Sequence, residues 1–351
     1  MRILLATFDA YSHVTQAIPL VQRLVVRGHT VRWLVHERFR TLVHRAGATH
    51  LRASTPSHAN IPAMSQPAWV AMFGQEAMSQ AADLITALED EPADVLLVDL
   101  TYVGVSAAMP GYPDTMVGVF GCIPLLSIPG EAEFVLQATL PQLELPIPPQ
   151  HQSRVACIGP LLPPPTPDLP AAPEIDPTVP LIVVTQGTLA TDPATLILPA
   201  LEALADLPVQ VLATCKLRDV PRNARCVPWL PFHAVVPRAA CVVSAAGFAT
   251  MQWCAASGVP MVAAGETEDK PDVGARVEWA GLGVSVCGAA LTPEVLRDAV
   301  TRVLLNPRYR AEAQRLAAQC ALIDSATAGV QVIEWARARA VPATEVEHAA
   351  A

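Results

Sequence analysis

The sequence predicts an α/β protein made of two doubly wound parallel sheets that face each other across a cleft. Strand and helix patterns alternate along both halves of the chain, which is typical of parallel sheets with helices on both faces. Between the halves, nine of the residues from Pro160 to Pro180 are proline. Because proline at this density interrupts helices and sheet ladders, we expect an extended connector there.

These patterns divide the chain into four parts. We expect a first sheet domain at residues 1–162, a proline-rich linker at 163–180, a second sheet domain at 181–340 and a frayed tail at 341–351. The composition, 52% hydrophobic and 16% charged, is sufficient for two cores. Two sheet domains of similar size on either side of a linker place a ligand cleft between them.

The individual elements follow from hydrophobic periodicity. In the first half, strands are predicted at residues 2–7, 30–35, 95–98 and 116–120, and helices at 14–26, 37–46, 69–88 and 101–109. In the second half, strands are predicted at 181–185, 209–213, 241–244, 261–264 and 284–286, and helices at 192–205, 293–305, 309–321 and 326–340.

Charge and cysteine usage exclude several classes of protein. The net charge of −9, without a cluster of lysine or arginine, argues against a nucleic-acid partner. The apolar runs are much shorter than the roughly 20 residues that a membrane span requires, and no secretory signal pattern opens the sequence. The eight cysteines show no metal-ligand spacing, so we expect reduced thiols in a cytoplasmic protein without a metal.

Polar residues follow apolar strands at two corresponding places. His13 comes after the first strand, and Glu268, Asp269 and Lys270 come after the strand at 261–264. The carboxyl ends of parallel strands are where such sheets bind ligands. The first strand continues as FDAYSHV, which lacks the glycine fingerprint of a dinucleotide-binding turn, so an oxidoreductase is disfavoured.

Several segments, taken in order, resemble one known family. In the first half they are ILLATFDAYSHV, ADVLLVDLTYVG, FVLQATLPQLELP and RVACIGPLLP. In the second half they are LIVVTQGTLATDP, WLPFHAVVPRAACVVS, AAGFATMQWCAASGVP and GETEDKPDVGARV. Their order and spacing resemble the GT-B nucleotide-sugar glycosyltransferases that act on small natural products. The resemblance covers most of the chain and implies the GT-B fold of two Rossmann-like domains.

The resemblance also implies roles for individual residues. His13 would deprotonate the acceptor hydroxyl and Asp99 would orient it. In the donor site, nucleotide phosphates, base and sugar would contact Gly187, Thr188, Trp229, Ser244, Gly247, Phe248, Thr250, Glu268, Asp269 and Lys270. An apolar acceptor would lie near Met64, Trp69 and Phe73. The donor is a nucleoside diphosphate sugar used as co-substrate, and neither metal nor cofactor is implied.

Each of these roles has a structural alternative. His13 alone could be an ordinary turn histidine, and Asp99 could cap the helix that follows it, because aspartate is a preferred N-cap residue. Trp229 could be a core aromatic residue, and Asp269 with Lys270 could be a solvated ion pair. The flanking motifs favour catalysis for the histidine, and charges directly after an apolar strand in a cleft favour ligand contact.

The sequence departs from the family pattern at the phosphate turn. The family carries histidine or asparagine followed by two glycines, whereas this chain has Ala245 and Ala246 after Ser244. Two methyl groups are thereby added where the backbone approaches phosphate. Further along, Gln252 and Trp253 stand where many members have a residue that contacts the ribose.

A second departure concerns the acceptor wall. The family has a long helical excursion after the strand at 116–120, whereas this chain has only GCIPLLSIPGEAE. Loss of that wall is expected to expose apolar surface, which predicts a homodimer or a companion subunit. Two functions therefore remain: an inverting glycosyltransferase, or a GT-B protein without transferase activity that assists a biosynthetic pathway.

Overall fold

A computed structural model describes residues 1–55, 64–125, 128–165, 170–187, 191–288 and 290–340. The first domain contains a seven-stranded parallel sheet. Its strands are β1 (Arg2–Ala6), β2 (Thr30–Val35), β3 (Thr49–Arg52), β4 (Val95–Asp99), β5 (Met116–Gly121), β6 (Phe134–Gln137) and β7 (Val155–Cys157). Its helices are α1 (Tyr11–Val26), α2 (Arg40–Arg45), α3 (Gln66–Asp90), α4 (Val105–Ala108) and α5 (Pro149–Gln152). The strand order is β3-β2-β1-β4-β5-β6-β7.

The second domain contains a six-stranded parallel sheet. Its strands are β8 (Leu181–Thr185), β9 (Gln210–Thr214), β10 (Ala224–Val227), β11 (Cys241–Ser244), β12 (Met261–Ala263) and β13 (Gly283–Ser285). Its helices are α6 (Ile197–Leu204), α7 (Phe232–Val235), α8 (Phe248–Ser257), α9 (Lys270–Trp279), α10 (Pro293–Leu305) and α11 (Pro307–Cys320), and α12 (Ser325–Ala340) ends the described chain. The strand order is β10-β9-β8-β11-β12-β13. The predicted class of two doubly wound parallel sheets is confirmed.

The central strands are apolar on both faces because each sheet lies between two cores. Ile3 and Leu5 of β1 point into the core shared with α1, whereas Leu4 and Ala6 point into the core shared with α3. This alternation follows from the two-residue period of a strand. A strand buried on both faces appears as a continuous apolar run, which explains why sequence patterns located the central strands.

Both sheets reverse their strand order at the strand that opens the domain. In the first sheet β1 lies between β2 and β4, and in the second sheet β8 lies between β9 and β11. Loops leaving two such neighbouring strands diverge to opposite faces and open a crevice at their carboxyl ends. The segments after β1 and β4 therefore meet, as do those after β8 and β11.

The last helix returns to the first domain. Val330 and Ile333 of α12 are buried in the core that includes Leu20 of α1 and Leu136 of β6. A Cβ at Gly329 would lie 2.9 Å from Cδ1 of Leu20, so α12 approaches α1 closely and the Leu20 side chain would have to shift for any larger residue. The predicted second domain, residues 181–340, included this helix. In the structure α12 packs against the first domain instead.

The segment after β6, a strand of the first domain, packs against the second domain. Leu140 and Leu143 are buried in a core of the second domain. Nearby, Glu144 accepts a 2.7 Å hydrogen bond from Nε of Arg276 in α9, and both side chains are almost fully buried. Gln252 of α8 donates through Nε2 to Oγ1 of Thr139 at 2.9 Å. Apolar burial and charged hydrogen bonds thus join the domains on this side.

The differences from the predicted elements have simple causes. Strands β6 and β7 lie in the segments FVLQATLPQLELP and RVACIGPLLP, which the family resemblance and not the periodicity indicated. Strands β3 and β10 were not predicted, because they lie at sheet edges and have polar, half-exposed sequences. The helix predicted at residues 101–109 is only the four-residue α4 followed by a 3₁₀ turn. Among the described residues no single helix combines the length and apolarity needed to cross a bilayer, although one pair bent by 52°, Pro307–Cys320 with Ser325–Ala340, meets those two criteria together.

Candidate active site

A cleft of about 1040 Å³ is lined by residues of both domains. From the first domain it is bordered by segments that follow β1, β4 and β5, and by α3. From the second domain it is bordered by segments that follow β8, β9, β10, β11 and β12. Its position at the carboxyl ends of both sheets is the one predicted from the strand order.

His13 and Asp99 form a buried pair at this cleft. His13 lies in the first turn of α1, and its Nδ1 is 2.5 Å from Oδ2 of Asp99 at the end of β4. The other carboxylate oxygen, Oδ1, accepts two 2.9 Å hydrogen bonds from Thr101, one from its N–H and one from its Oγ1. With Nδ1 held by the carboxylate, the Nε2 atom is the nitrogen left for a ligand in the cleft.

The electrostatics of the pair favour the ionised couple. Burial acts to lower the pKa of His13, but the Asp99 carboxylate outweighs this effect and raises the pKa above its ordinary value of 6.5. Burial acts to raise the pKa of Asp99, but His13 and the two bonds from Thr101 lower it below its ordinary range. Asp99 therefore stays a carboxylate and strengthens His13 as a base.

Cys122, directly after β5, completes the buried group. Its Sγ is 3.3 Å from Nδ1 of His13 and 3.5 Å from Oδ2 of Asp99. The ligand atoms of these three residues lie within 4.8 Å of one another, close enough for a metal ion. However, ligands at about 2.0 Å from a tetrahedral metal are roughly 3.3 Å apart, so the 2.5 Å separation of the pair fits a shared proton better.

An aromatic wall stands beside the histidine. The Phe8 ring lies 5.5 Å from the His13 ring, 6.0 Å from Trp69 and 5.4 Å from Phe73, each in an edge-to-face arrangement. All four residues border the cleft. The predicted acceptor residues Trp69 and Phe73 thus contact Phe8, which in turn contacts the predicted base. Met64 packs against this wall without bordering the cleft itself.

Trp229, which is predicted to stack on the nucleotide base, follows β10 and borders the cleft. The ring of Tyr11, at the start of α1, meets it edge-to-face with 5.2 Å between centroids. The indole Nε1 of Trp229 is buried without a hydrogen-bond partner among the described residues. Trp229 therefore both packs against Tyr11 and borders the cleft, which is compatible with a packed core aromatic residue and with a residue that stacks on a ligand.

The phosphate turn offers backbone rather than side chains to the cleft. Gly247 caps α8 in an extended conformation without a side-chain bond, and Phe248 and Thr250 of its first turn border the cleft. The first N–H groups of a helix have no intrahelical partners and attract anions. On the other side, Gly187 borders the cleft with φ of 82°, a left-handed conformation that favours glycine.

The two alanines of this turn point away from the cleft. Ala246 is fully buried in the core beneath α8, and Ala245 is buried on the other face of the sheet. Ala246 has φ of 58°, a left-handed conformation that is uncommon for a residue with a side chain. The two methyl groups therefore do not enter the predicted phosphate site, whereas the sequence alone suggested that they would.

Two further residues lie elsewhere than predicted. Ser244 is buried at the end of β11 and does not border the cleft, so its hydroxyl is not placed to reach a donor. Gln252 faces Thr139 across the domain contact and is not part of the pocket, whereas Trp253 does border it. Thr188 lies outside the described residues.

The acidic loop after β12 faces the histidine. Glu268 forms an ion pair with Lys270, and Lys270 Nζ lies 3.9 Å from Oδ1 of Asp269. Burial raises the pKa of Asp269, Lys270 opposes the shift, and His13 is near enough to oppose it as well. The Glu268 Oε1 atom is buried without a hydrogen-bond partner among the described residues, so it can accept a bond from a ligand hydroxyl.

Glu268 is also strained. Its φ of 54° is unusual for a residue with a side chain, and its N–H donates to the carbonyl of Met64 at 3.3 Å. This bond ties the loop of the second domain to the aromatic wall of the first. The cleft thus combines the His13–Asp99 pair, an apolar wall, a helix N-terminus and a polar loop within one space.

Sequence comparison assigns similarity along the whole chain. Residues 200–333 match a family model described as "Erythromycin biosynthesis protein CIII-like, C-terminal domain". The chain is 31% identical to 4'-demethylrebeccamycin synthase of Lentzea aerocolonigenes, over 95% of this chain and 99% of that protein. Their alignment spans 419 positions, more than the 351 residues here, so the relative carries segments that this chain lacks.

Solved structures show the same architecture. The glycosyltransferase of kitacinnamycin superposes with a TM-score of 0.80 at 19% identity, over 95% of this chain and 98% of that one. The spinosyn rhamnosyltransferase complexed with thymidine diphosphate superposes with a TM-score of 0.75 at 20% identity, over 95% of this chain and 100% of that one. Both likenesses concern the fold.

Proposed function

The chain belongs to the GT-B natural-product glycosyltransferases, and on that premise we propose that it is an inverting, metal-independent enzyme. In this proposal it moves a sugar from a nucleoside diphosphate to a hydroxyl of a small hydrophobic natural product in the cytoplasm. The observation that supports it most is the 2.5 Å bond between His13 and Asp99 at the cleft, opposite the acidic loop of the second domain.

In the proposed reaction, Nε2 of His13 removes the proton of the acceptor hydroxyl. The acceptor oxygen then attacks the anomeric carbon of the sugar from the face opposite to the diphosphate, and the bond from that carbon to the phosphate oxygen breaks. Because one displacement occurs, the anomeric configuration inverts. The proton stays on His13 as an imidazolium that Asp99 stabilises.

The donor is proposed to lie along the second domain. Trp229 stacks on the base, and the N–H groups at the start of α8 hold the diphosphate, with Gly187 allowing close approach from the other side. Glu268, Asp269 and Lys270 contact the sugar hydroxyls. Negative charge that develops on the leaving diphosphate is stabilised by the helix N-terminus, which is why no metal ion enters the proposal.

The acceptor is proposed to lie against the aromatic wall. Phe8 lies 5.5 Å from the His13 ring, and Trp69 and Phe73 extend the apolar surface by packing against Phe8. Such a wall suits a ring-containing apolar molecule that presents one hydroxyl to the base.

A homodimer or companion subunit also remains part of the proposal. No helix covers this side between Gly121 and Phe134 among the described residues, and Val70 and Met78 of α3 are 66% and 71% exposed. Light scattering during turnover tests this idea, because an active species of monomer mass would remove it.

Calorimetric titration tests the donor assignment. We expect UDP or TDP, and one of their sugars, to bind the purified protein with a micromolar dissociation constant. Absence of binding by every nucleotide, with circular dichroism of a folded protein, would refute the transferase assignment.

Product analysis then tests the finer claims. Transfer is expected to proceed within about twofold of its rate in the presence of a chelator, and NMR of the product should show the anomeric configuration opposite to that of the donor. A chelator-dependent loss of rate would contradict metal independence, and a retained configuration would contradict the single displacement.

A further inference from the structure

Two cysteines lie side by side at the edge of the nucleotide half of the cleft. Cys215 directly follows β9, and Cys226 lies in the neighbouring edge strand β10. The Cys215 N–H donates to the carbonyl of Val227 at 2.9 Å, which holds the two strand ends together. Their Sγ atoms are 2.6 Å apart, closer to the roughly 2.0 Å of a disulfide than to an ordinary non-bonded contact of about 3.5–4.0 Å.

We propose that Cys215 and Cys226 are a redox modification site that forms a reversible disulfide by exchange with a low-molecular-weight disulfide such as oxidised glutathione, and that this bond tightens nucleotide binding. The chemical part stands on the two thiols alone. The binding part rests on the proposed donor site.

The exchange has two steps. The thiolate of Cys215, which borders the cleft, attacks one sulfur of oxidised glutathione, so a mixed disulfide forms and one glutathione leaves. The thiol of Cys226 then loses its proton and attacks the Cys215 sulfur, which expels the second glutathione. Two protein thiols are oxidised, and one molecule of oxidised glutathione is reduced to two of glutathione.

The surroundings assign an order to the two thiols. Burial raises the pKa of Cys226 to about 12, and the neighbouring Cys215 contributes to that rise. Cys215 borders the cleft and Cys226 does not, so Cys215 is the thiol that glutathione in the cleft reaches first. Once Cys215 is held in the mixed disulfide, Cys226 is the thiol in direct contact with its sulfur, so Cys226 acts as the resolving residue.

The other cysteines lack such a neighbour. The described residues include all eight, and among them Cys122, Cys241 and Cys254 are buried. Among the described residues, one pair of thiols is in direct hydrogen-bonding contact, Cys215 with Cys226. Oxidation under mild conditions is therefore expected to be selective for this pair.

The pair occupies a position that affects the cleft. Lys216 and Leu217 follow Cys215 and border the cleft, as does Trp229, which follows β10. A bond between the two sulfurs fixes these two strand ends to each other before a ligand arrives. Removing that ordering cost from the binding step is expected to lower the dissociation constant for a nucleoside diphosphate by about threefold.

Mass spectrometry of the full-length protein tests the chemistry. With millimolar oxidised glutathione, the intact mass is expected to fall by about 2 Da, the two hydrogens lost. Trypsin cleaves after Lys216 and Arg225, so the two cysteines enter separate peptides that stay joined until dithiothreitol is added. Absence of this linked pair, or formation of a different one, overturns the proposal.

Single variants separate the two thiols. Cys226→Ser is expected to accumulate one glutathione on Cys215, because the resolving thiol is missing, whereas Cys215→Ser is expected to show neither that adduct nor the loss of mass. Cys320→Ser, which alters a half-buried cysteine of α11, is the matched control and should still form the bond. Equal glutathione labelling of both pair variants contradicts the assigned order.

Titration of the reduced and oxidised protein with UDP or TDP tests the binding part. The expected result is a threefold lower dissociation constant after oxidation, reversed by dithiothreitol. An unchanged or weaker affinity overturns the proposed control of the cleft. If neither form binds a nucleotide while the disulfide forms, the proposed donor site fails and the modification site stands.

Discussion

The two sides of the cleft are held by different kinds of interaction. On the proposed acceptor side, Asp99 receives bonds from His13, from Thr101 and from the N–H of Phe8, so side chains of particular types hold the proposed base. On the proposed phosphate side, the N-terminus of α8 and the turn at Gly187 present main-chain groups. One side depends on side-chain identity, and the other depends on backbone conformation.

This difference explains why the alanines of the phosphate turn are compatible with the fold of the site. Any residue supplies an N–H, so the turn needs the correct φ and ψ more than a particular side chain. Ala246 adopts a left-handed conformation although it carries a side chain, and its methyl group is buried in the core. The sequence alone suggested lost function here because it shows residue types and not their directions.

Loss of the base should have the largest effect. His13→Ala removes the group that takes the acceptor proton, so we expect kcat to fall about 10³-fold while the nucleotide dissociation constant stays within twofold. Steady-state kinetics and calorimetry with the same preparation measure both quantities.

His233→Ala provides the matched control, because His233 also borders the cleft but belongs to α7 of the second domain. We expect its kcat to stay within a few-fold of the unsubstituted enzyme. Turnover retained by the His13 variant would show that another group is the base and would remove the contrast between the two sides.

Removal of the orienting carboxylate should have the next largest effect. Asp99→Asn keeps the shape of the site but loses the charge that stabilises the imidazolium, so we expect kcat to fall about 10²-fold. The pH profile supplies a second measurement. In the unsubstituted enzyme, kcat/KM should rise as the pH passes upward through the raised pKa of His13, because the base must be neutral.

In the Asn variant, burial remains as the main influence on His13 and lowers its pKa. The acidic limb of the profile should therefore move to lower pH, even though the rate is smaller. A limb that stays in place would mean that Asp99 does not face the titrating group.

Sequence patterns were sufficient to predict which residues form the His13–Asp99 pair. The pairing of His13 with Asp99 could be predicted because β1 and β4 are adjacent parallel strands with strong apolar patterns, so their carboxyl ends meet. Thr101 could have been found too, since a threonine two residues after an aspartate commonly bonds back to its carboxylate.

Other features depend on packing that no local pattern records. Cys122 contacts the His13–Asp99 pair only because β5 lies beside β4. The contact of Phe8 with His13 could not be predicted, because Phe8 lies in an irregular loop. The return of α12 to the first domain involves contacts between residues about 300 positions apart, as between Arg27, which directly follows α1, and Glu334 of α12. Such contacts require the three-dimensional structure.

Loss of the aromatic face proposed to stack on the nucleotide base should have a smaller effect, which is confined to nucleotide binding. Trp229→Ala removes an aromatic face worth roughly 1–3 kcal/mol against a base, so we expect the nucleotide dissociation constant to rise about tenfold. Trp279→Ala is the control, because Trp279 is 61% exposed on α9 and does not border the cleft. Equal behaviour of the two variants in the titration would assign Trp229 to the packed contact with Tyr11 instead.

The smallest effect is expected at the phosphate turn, where a buried residue can change with little consequence. Ala246→Gly loses a buried methyl group, worth about 0.8 kcal/mol, and adds chain entropy to the unfolded state, about 0.5–1 kcal/mol. It also relieves a left-handed conformation that costs a residue with a side chain roughly 1–2 kcal/mol. These contributions nearly cancel, so the free energy of unfolding should change by less than about 0.5 kcal/mol, and nucleotide affinity should stay within twofold because the methyl group faces the core.

Ala263→Gly is the matched control, because Ala263 is equally buried in the same core but lies in the extended strand β12. With no strain to relieve, it should lower the free energy of unfolding by about 1–2 kcal/mol in urea titrations. Equal destabilisation by both substitutions would show that Ala246 bears no conformational strain. A large gain in nucleotide affinity on Ala246→Gly would show that its methyl group reaches the phosphate site, and the two sides of the cleft would then depend on side chains alike.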